Sequence, residues 1–540
     1  AAHARPAEAR AAFDQSLKLD GRNVRALIGQ GEVLYTESRF TEALTRFDTA
    51  VQADPTSVIA IVSDAKAKLA LERLADAKAQ LAAARTLHPK DPLLAYWLGK
   101  AEEALGNKPA AETEFGAAID LVDPTQPDAV APYVALSGLL ASEGRVKDAQ
   151  AKLDEARGKL PDSPAMQRAL AEVAAAQGQY DEAIAHYKSA LEKEPTDLDA
   201  RFHLGVTFRR MRKMDEATAE FDKVLATDKD YPGLALERGL LYEESGDIEK
   251  ALLQFQAALQ RAPDDPDLQL RVGAAYAAID RPGDAIPILR KVLDKRPQSA
   301  EASHYLGRAL FLQGGASEAE ARRYLKKAVD LDPNRAEYHL YVAWAANNME
   351  PADLGTAKDE IEKALTLDKL LADGYWQRGV LERKSTQCES AIVDFKRALE
   401  LRPTRNEAHA GLAECYEDKN DPGNAFLEWS KAVAKDDHQP SWRYHLGKIL
   451  LERGNAGEAA KHLTYAATEA DKAIDHGDVK LRWHWEVQFS AAQALQRMGK
   501  SKEAIERYRR FMDISPTTSP DRQDAMIALA NLGAPYTPKN

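Results

Sequence analysis

Five histidines are the side chains closest to forming a chemical centre. His438, His445, His462, His476 and His484 fall within a short stretch of the chain, and imidazole nitrogens at i, i+3 or i, i+4 on one helix would hold a metal ion. Their spacings give no such pair, so they read as surface or packing residues. The two cysteines, Cys388 and Cys415, form neither a C-x-x-C pair nor a disulfide framework, and they read as thiols within helices. No glycine-rich phosphate loop, no G-x-S-x-G elbow and no H-E-x-x-H is present. Aspartate and glutamate are abundant, as solvated helix faces require, but no two stand as an acid–base pair. The residues therefore predict no catalysis, no cofactor and no metal.

Composition narrows the class. The chain has 540 residues, more than one ordinary core accommodates, so several domains or a repeat array are expected. Apolar residues make up 44% and charged residues 29%, a globular balance, and the frequent alanines suit closely packed thin helices. A formal charge of −12 argues against nucleic acid, which demands a basic stripe, and favours solubility and basic partners. No apolar run is long enough to span a membrane.

The decisive signal is a period. Pro55 to Pro89, Pro161 to Pro195 and Pro263 to Pro297 are each 34 residues apart, and Pro195 to Pro263 is 68. In the same phase stand Ala50, Ala190, Ala258 and Ala398, then Phe47, Tyr187, Phe255 and Phe395, then Ala43, Ala183, Ala251 and Ala391. Glycines occupy the matching earlier position at Gly31, Gly239 and Gly379. Small residues allow close helix crossings, a buried aromatic fills space, and proline ends a helix.

This pattern resembles the tetratricopeptide repeat over nearly the whole chain. The resemblance implies an all-α, right-handed superhelical α-solenoid of about fourteen helix pairs, A then B, between Asn23 and Pro516. Residues 1–22 read as an incomplete first repeat, since Ala9, Phe13 and Ser16 have helix-B spacing with no helix A before them. The expectation is a chain that starts inside a repeat of a longer protein, so a missing leader carries no weight. Repeats 1–3 take residues 23–129, repeats 4–12 residues 130–437, and repeats 13–14 residues 438–516, with a capping helix (519–532) and tail in 517–540.

Irregular stretches interrupt the period. The proline-rich insert 122–132 is read as a place where superhelical pitch changes, and extra residues stand at Gly314-Gly315 and at Met349–Pro351. From Ala459 to Ala504 the spacing grows to 45, which predicts helices over 457–475 and 478–498, each a turn and a half longer and projecting from the array.

The resemblance places partner proteins, as helices or extended peptides, in a concave groove lined by helix A. In that phase fall Arg209 and Arg210, followed by Arg212 and Lys213, then Phe311, Trp344 with Asn348, Trp376 with Arg383 and Lys384, and Tyr444. Trp483 and Trp485 lie on a lengthened helix, and six of the seven tryptophans fall in the last two hundred residues. Tryptophan and arginine are frequent interface anchors, whereas Trp429 at the helix-B aromatic position reads as core. The asparagine ladder of sugar-transferring relatives is absent, its positions here being Gly29, Ser63, Trp97, Ala135, Ala169 and His203. The two-carboxylate clamp of chaperone-tail binders is likewise missing.

The function implied is a bacterial cytoplasmic scaffold or adaptor in a motility, pilus, polarity or secretion assembly, with a small GTPase or an assembly component among its partners and self-association open. The alternatives are a periplasmic solenoid of a polysaccharide-export or envelope-assembly system, and the regulatory arm of an enzyme outside this chain.

Overall fold

The computed structural model describes residues 6–348, 352–435, 438–476 and 481–537; the extra residues at 349–351 lie outside them. Among the described residues thirty α-helices follow one another with no strand. The chain divides into two compact units, residues 1–258 and 259–540. An unpaired helix, Pro6–Leu19, comes first, and the twenty-eight helices from Val24–Thr36 to Ser501–Ile514 make fourteen pairs.

Three local rules repeat. Helix A opens on a capping side chain: Asn23, Ser57, Asp91, Ser163, Asp197, Asp265 and Ser299 each accept a bond from a backbone N–H of the first turn. Each such cap is worth about 1 kcal/mol. Helix A closes on one left-handed residue before helix B. Glycine fills that place at 106, 144, 178 and 246, but Ser38, Glu72, Arg212, Asp280, Thr386 and Asn420 also adopt it, with φ between 55° and 60°. Side chains rarely accept that conformation, so the tight A–B turn forces it on them.

The third rule builds the core. A Cβ added to Gly31 would lie 2.3 Å from the Phe47 ring, one on Gly239 2.5 Å from Phe255, and one on Gly379 2.8 Å from Phe395. The aromatic thus rests on the glycine of its own pair. One ring serves both neighbours where the next helix A also carries a glycine. Phe395 also covers Gly411 of the following helix A at 2.5 Å, and Phe13 covers Gly29 at 2.3 Å. Leu289, Leu325 and Leu463 take the aromatic's place against Gly273, Gly307 and Gly447.

A polar tie accompanies this packing. The fourth residue of helix A reaches the seventh of helix B: Arg201 to Glu220 at 3.0 Å, His339 to Glu360 at 2.5 Å, His409 to Glu428 at 2.6 Å. The same residues grip the preceding turn, since Arg201 donates to the Pro195 carbonyl (2.8 Å) and His339 Nε2 faces that of Pro333 (2.9 Å). Paired and bonded on both sides, these side chains tolerate burial.

The insert 122–132 does not break the first unit. One buried cluster runs from Phe115 and Ile119 before it, through Ala129 within it, to Tyr133 and Leu136 after it. The lengthened helices differ from expectation. Ala456–Asp475 has 20 residues against 14 in its counterparts, but Arg482–Arg497 has only 16 against the usual 13. Nor does the extension project freely. Ala466, Ala467 and Ala470 are buried, and Asp471 is clasped by Arg507 (2.8 Å) and Arg510 (2.6 Å) of the last pair. The final helix is Asp521–Asn531; it seats Ala525 and Leu529, while Met526 and Ile527 point outward.

Candidate partner-binding surfaces

In the first unit the basic run is smaller than the sequence suggests. Arg209 is mostly buried and bonded to Glu237 (2.9 Å) and Glu244, so its charge is neutralised within the fold. Arg210 and Lys213 are exposed, and Arg212 stands in the left-handed turn, at the edge of the pair. Three cations remain for a partner.

In the second unit, helices Ala300–Gln313, Ala336–Asn348 and Ala372–Lys384 are successive A helices in contact. Phe311 and Trp344, both half-buried, meet with ring centroids 4.5 Å apart, and Tyr341 meets Trp344 edge-on at 5.9 Å. Arg308 lies over Tyr341 at 5.3 Å. The result is a partly open aromatic face edged by a cation, a composition suited to an interface anchor.

Trp376 is more enclosed. The Arg405 guanidinium covers its ring at 4.1 Å and pairs with Asp373 at 3.2 Å. Arg383 pairs with Glu414 at 3.0 Å, and burial raises the Glu414 pKa despite that partner. Lys384 donates to Asn347 Oδ1 (3.0 Å) and to its carbonyl (3.2 Å), at a helix C-terminus where a cation is favoured. The exposed Asn348 turns its amide back to the Trp344 carbonyl at 2.8 Å. These groups therefore tie helices together as well as facing outward.

Tyr444 is not a surface residue. It is 4% exposed and donates to Glu486 at 3.0 Å, and burial pushes its hydroxyl pKa up. Trp483 stacks over it at 6.3 Å and Trp485 packs on the same core, both half-buried. Trp429 is fully buried, its indole N–H donating to Glu417 at 3.0 Å. Both cysteines are buried, and burial together with the adjacent Cys388 raises the Cys415 pKa, leaving a poor nucleophile. Glu382, beside Asp394, is raised to about 7 by burial and by that neighbouring carboxylate. Among the described residues no group of three His, Cys, Asp or Glu is placed to hold a metal ion. No described helix is long and apolar enough to cross a membrane.

Two profiles of the tetratricopeptide repeat match, one over residues 1–58, 64–129, 135–197, 236–299 and 377–440, the other over 174–238 and 276–345. Together they cover most of the chain. The protein belongs to the tetratricopeptide repeat family.

Among relatives of this tetratricopeptide chain, the type IV pilus assembly protein PilF of Pseudomonas aeruginosa is 33% identical over 99 residues, 18% of this chain. The match spans 38% of PilF. Of solved structures, the Cut9–Hcn1 hetero-tetramer of the APC/C aligns with a TM-score of 0.42 and 16% identity, over 90% of this chain and 92% of that one. MamA aligns at 0.27 and 24% identity, over 32% of this chain and 92% of its own.

Sequence reasoning missed a cavity in this tetratricopeptide array. Lys66, Trp97 and the insert 122–132 line a cavity of about 810 Å³ in the first unit. The insert's prolines signalled an interruption of the repeat; nothing in their spacing signalled a wall.

Proposed function

We propose that the chain is a non-catalytic scaffold that holds partner proteins on its helix-A faces, in a bacterial assembly of the pilus class. The observation carrying the binding role is the tetratricopeptide match over most of the chain, joined to a half-open Phe311–Trp344 face on successive A helices. The likeness to a pilus assembly protein supports the setting. Arg210, Arg212 and Lys213 offer a second contact, for an acidic partner.

Affinity capture from a native bacterial lysate, read by cross-linking mass spectrometry, tests this. Phe311→Ala/Trp344→Ala, with helicity checked by circular dichroism, is expected to lose its main partner at least about 10-fold, the loss of one anchor pair. Retention of every partner by the folded double variant would remove this face from the account. Partners unrelated to pilus or surface assembly would remove the setting.

A further inference from the structure

We infer that the first-unit cavity receives a segment of a partner protein carrying an apolar anchor flanked by lysine or arginine; this rests on the protein-binding reading above. The cavity lies between helices Val58–Ala70 and Pro92–Ala104 and the 122–132 insert. The insert is outside the repeat pattern and adds a wall to the helix-A faces. Its turns are fixed by backbone bonds, Gln126 N–H to Asp123 (3.0 Å), Ala129 N–H to Gln126 (3.1 Å) and Ala131 N–H to Asp128 (3.0 Å), and Ala129 is pinned in the core. A wall built this way is formed before a partner arrives, which lowers the ordering cost of binding.

The lip is apolar. Ile59 is 62% exposed and Leu93 39%, beside the half-buried Trp97 and Tyr96. Side chains of this size seldom stand together in water unless something covers them. About 810 Å³ is room for several side chains, within the range of ordinary ligand sites.

Charge decides the occupant. Lys66, the basic residue of the lining, is already paired with Glu32 at 3.4 Å, its ammonium facing the Tyr35 and Trp97 rings at 5.3 and 5.6 Å. Asp123 and Asp128 are exposed at the mouth, and neither is in an ion pair among the described residues. Asp123 accepts the N–H (2.9 Å) and hydroxyl (2.8 Å) of Thr125, bonds that hold its carboxyl below the ordinary range and therefore ionised. Two unpaired carboxylates beside an apolar lip complement a basic amphipathic segment and repel an acidic one.

Titration calorimetry on the full chain tests this with two short synthetic peptides, one bearing a Leu-Phe pair between lysines, the other the same pair between glutamates. The lysine peptide is expected to bind and the glutamate peptide not. Asp123→Lys/Asp128→Lys should weaken the lysine peptide about 10-fold or more, and Ile59→Asp similarly. The same charge change at exposed Asp181 and Asp215 should leave it within about twofold, because those sites act only through screened long-range charge. Equal loss in that control, no loss in Asp123→Lys/Asp128→Lys, or no binding of the lysine peptide would each overturn the cavity assignment. A chain failing any of these while its captured partner still responds to Phe311→Ala/Trp344→Ala loses the cavity and keeps the scaffold.

Discussion

Phe395→Ala should lower the unfolding free energy by about 3–5 kcal/mol, the cost of removing a fully buried ring and leaving its cavity. The ring lies between Gly379 of its own pair and Gly411 of the next, so one truncation opens two helix contacts. Phe395→Leu should cost much less, because leucine already serves this position in three pairs, against Gly273, Gly307 and Gly447. Urea unfolding followed by circular dichroism measures both. In a repeat array each pair leans on its neighbours, so hydrogen exchange in the alanine variant should rise in helices Ala372–Lys384 and Asn406–Asp418 first. Equal costs for alanine and leucine would show that the ring is not packed as described.

Glu428→Ala should cost about 1–3 kcal/mol at neutral pH, since removing the carboxylate leaves the buried His409 ring without its hydrogen-bond partner. His409 Nδ1 meets Glu428 at 2.6 Å and Lys431 reaches it at 2.7 Å, with both His409 and Glu428 buried. Burial alone would raise the Glu428 pKa, but the bonds from His409 and Lys431 hold it below the ordinary carboxylate value. A carboxylate with a lowered folded pKa stabilises above its unfolded pKa, and that contribution disappears as pH falls through the folded one. The gap between wild type and variant should therefore be full at pH 7 and narrow below roughly pH 4.5. Thermal unfolding across that range reads the gap. A gap that fails to narrow as pH falls below that value would contradict the assignment. Glu360, with His339 and Lys363, repeats the arrangement in the tenth pair and should behave alike.

Most of the fold was legible because tetratricopeptide packing is periodic. The 34-residue spacing of prolines, small residues and aromatics gave the fourteen pairs, and Trp429 fell where helix-B aromatics are buried. The binding surface was less legible, because a groove position does not say what its side chain touches. Arg209 sits in groove phase, yet two glutamates on the next helix A claim it. Trp376 shares that phase and is roofed by Arg405 from a later repeat. Tyr444 is sealed by Glu486 and Trp483 of the next helix A, Arg482–Arg497. The polar tie from the fourth residue of helix A escaped notice since arginine and histidine share its geometry without sharing a type. The cavity escaped because the insert acts through its own turns, for which a repeat supplies no template.

The central claim is that partners are held on helix-A faces of a folded tetratricopeptide array. Hydrogen exchange read by mass spectrometry, on the full chain with and without its captured partner, tests it most directly. The account predicts added protection in Ala300–Gln313 and Ala336–Asn348, with the paired helices Glu318–Leu331 and Leu354–Leu367 unchanged. Protection confined to those helix-B segments would contradict it.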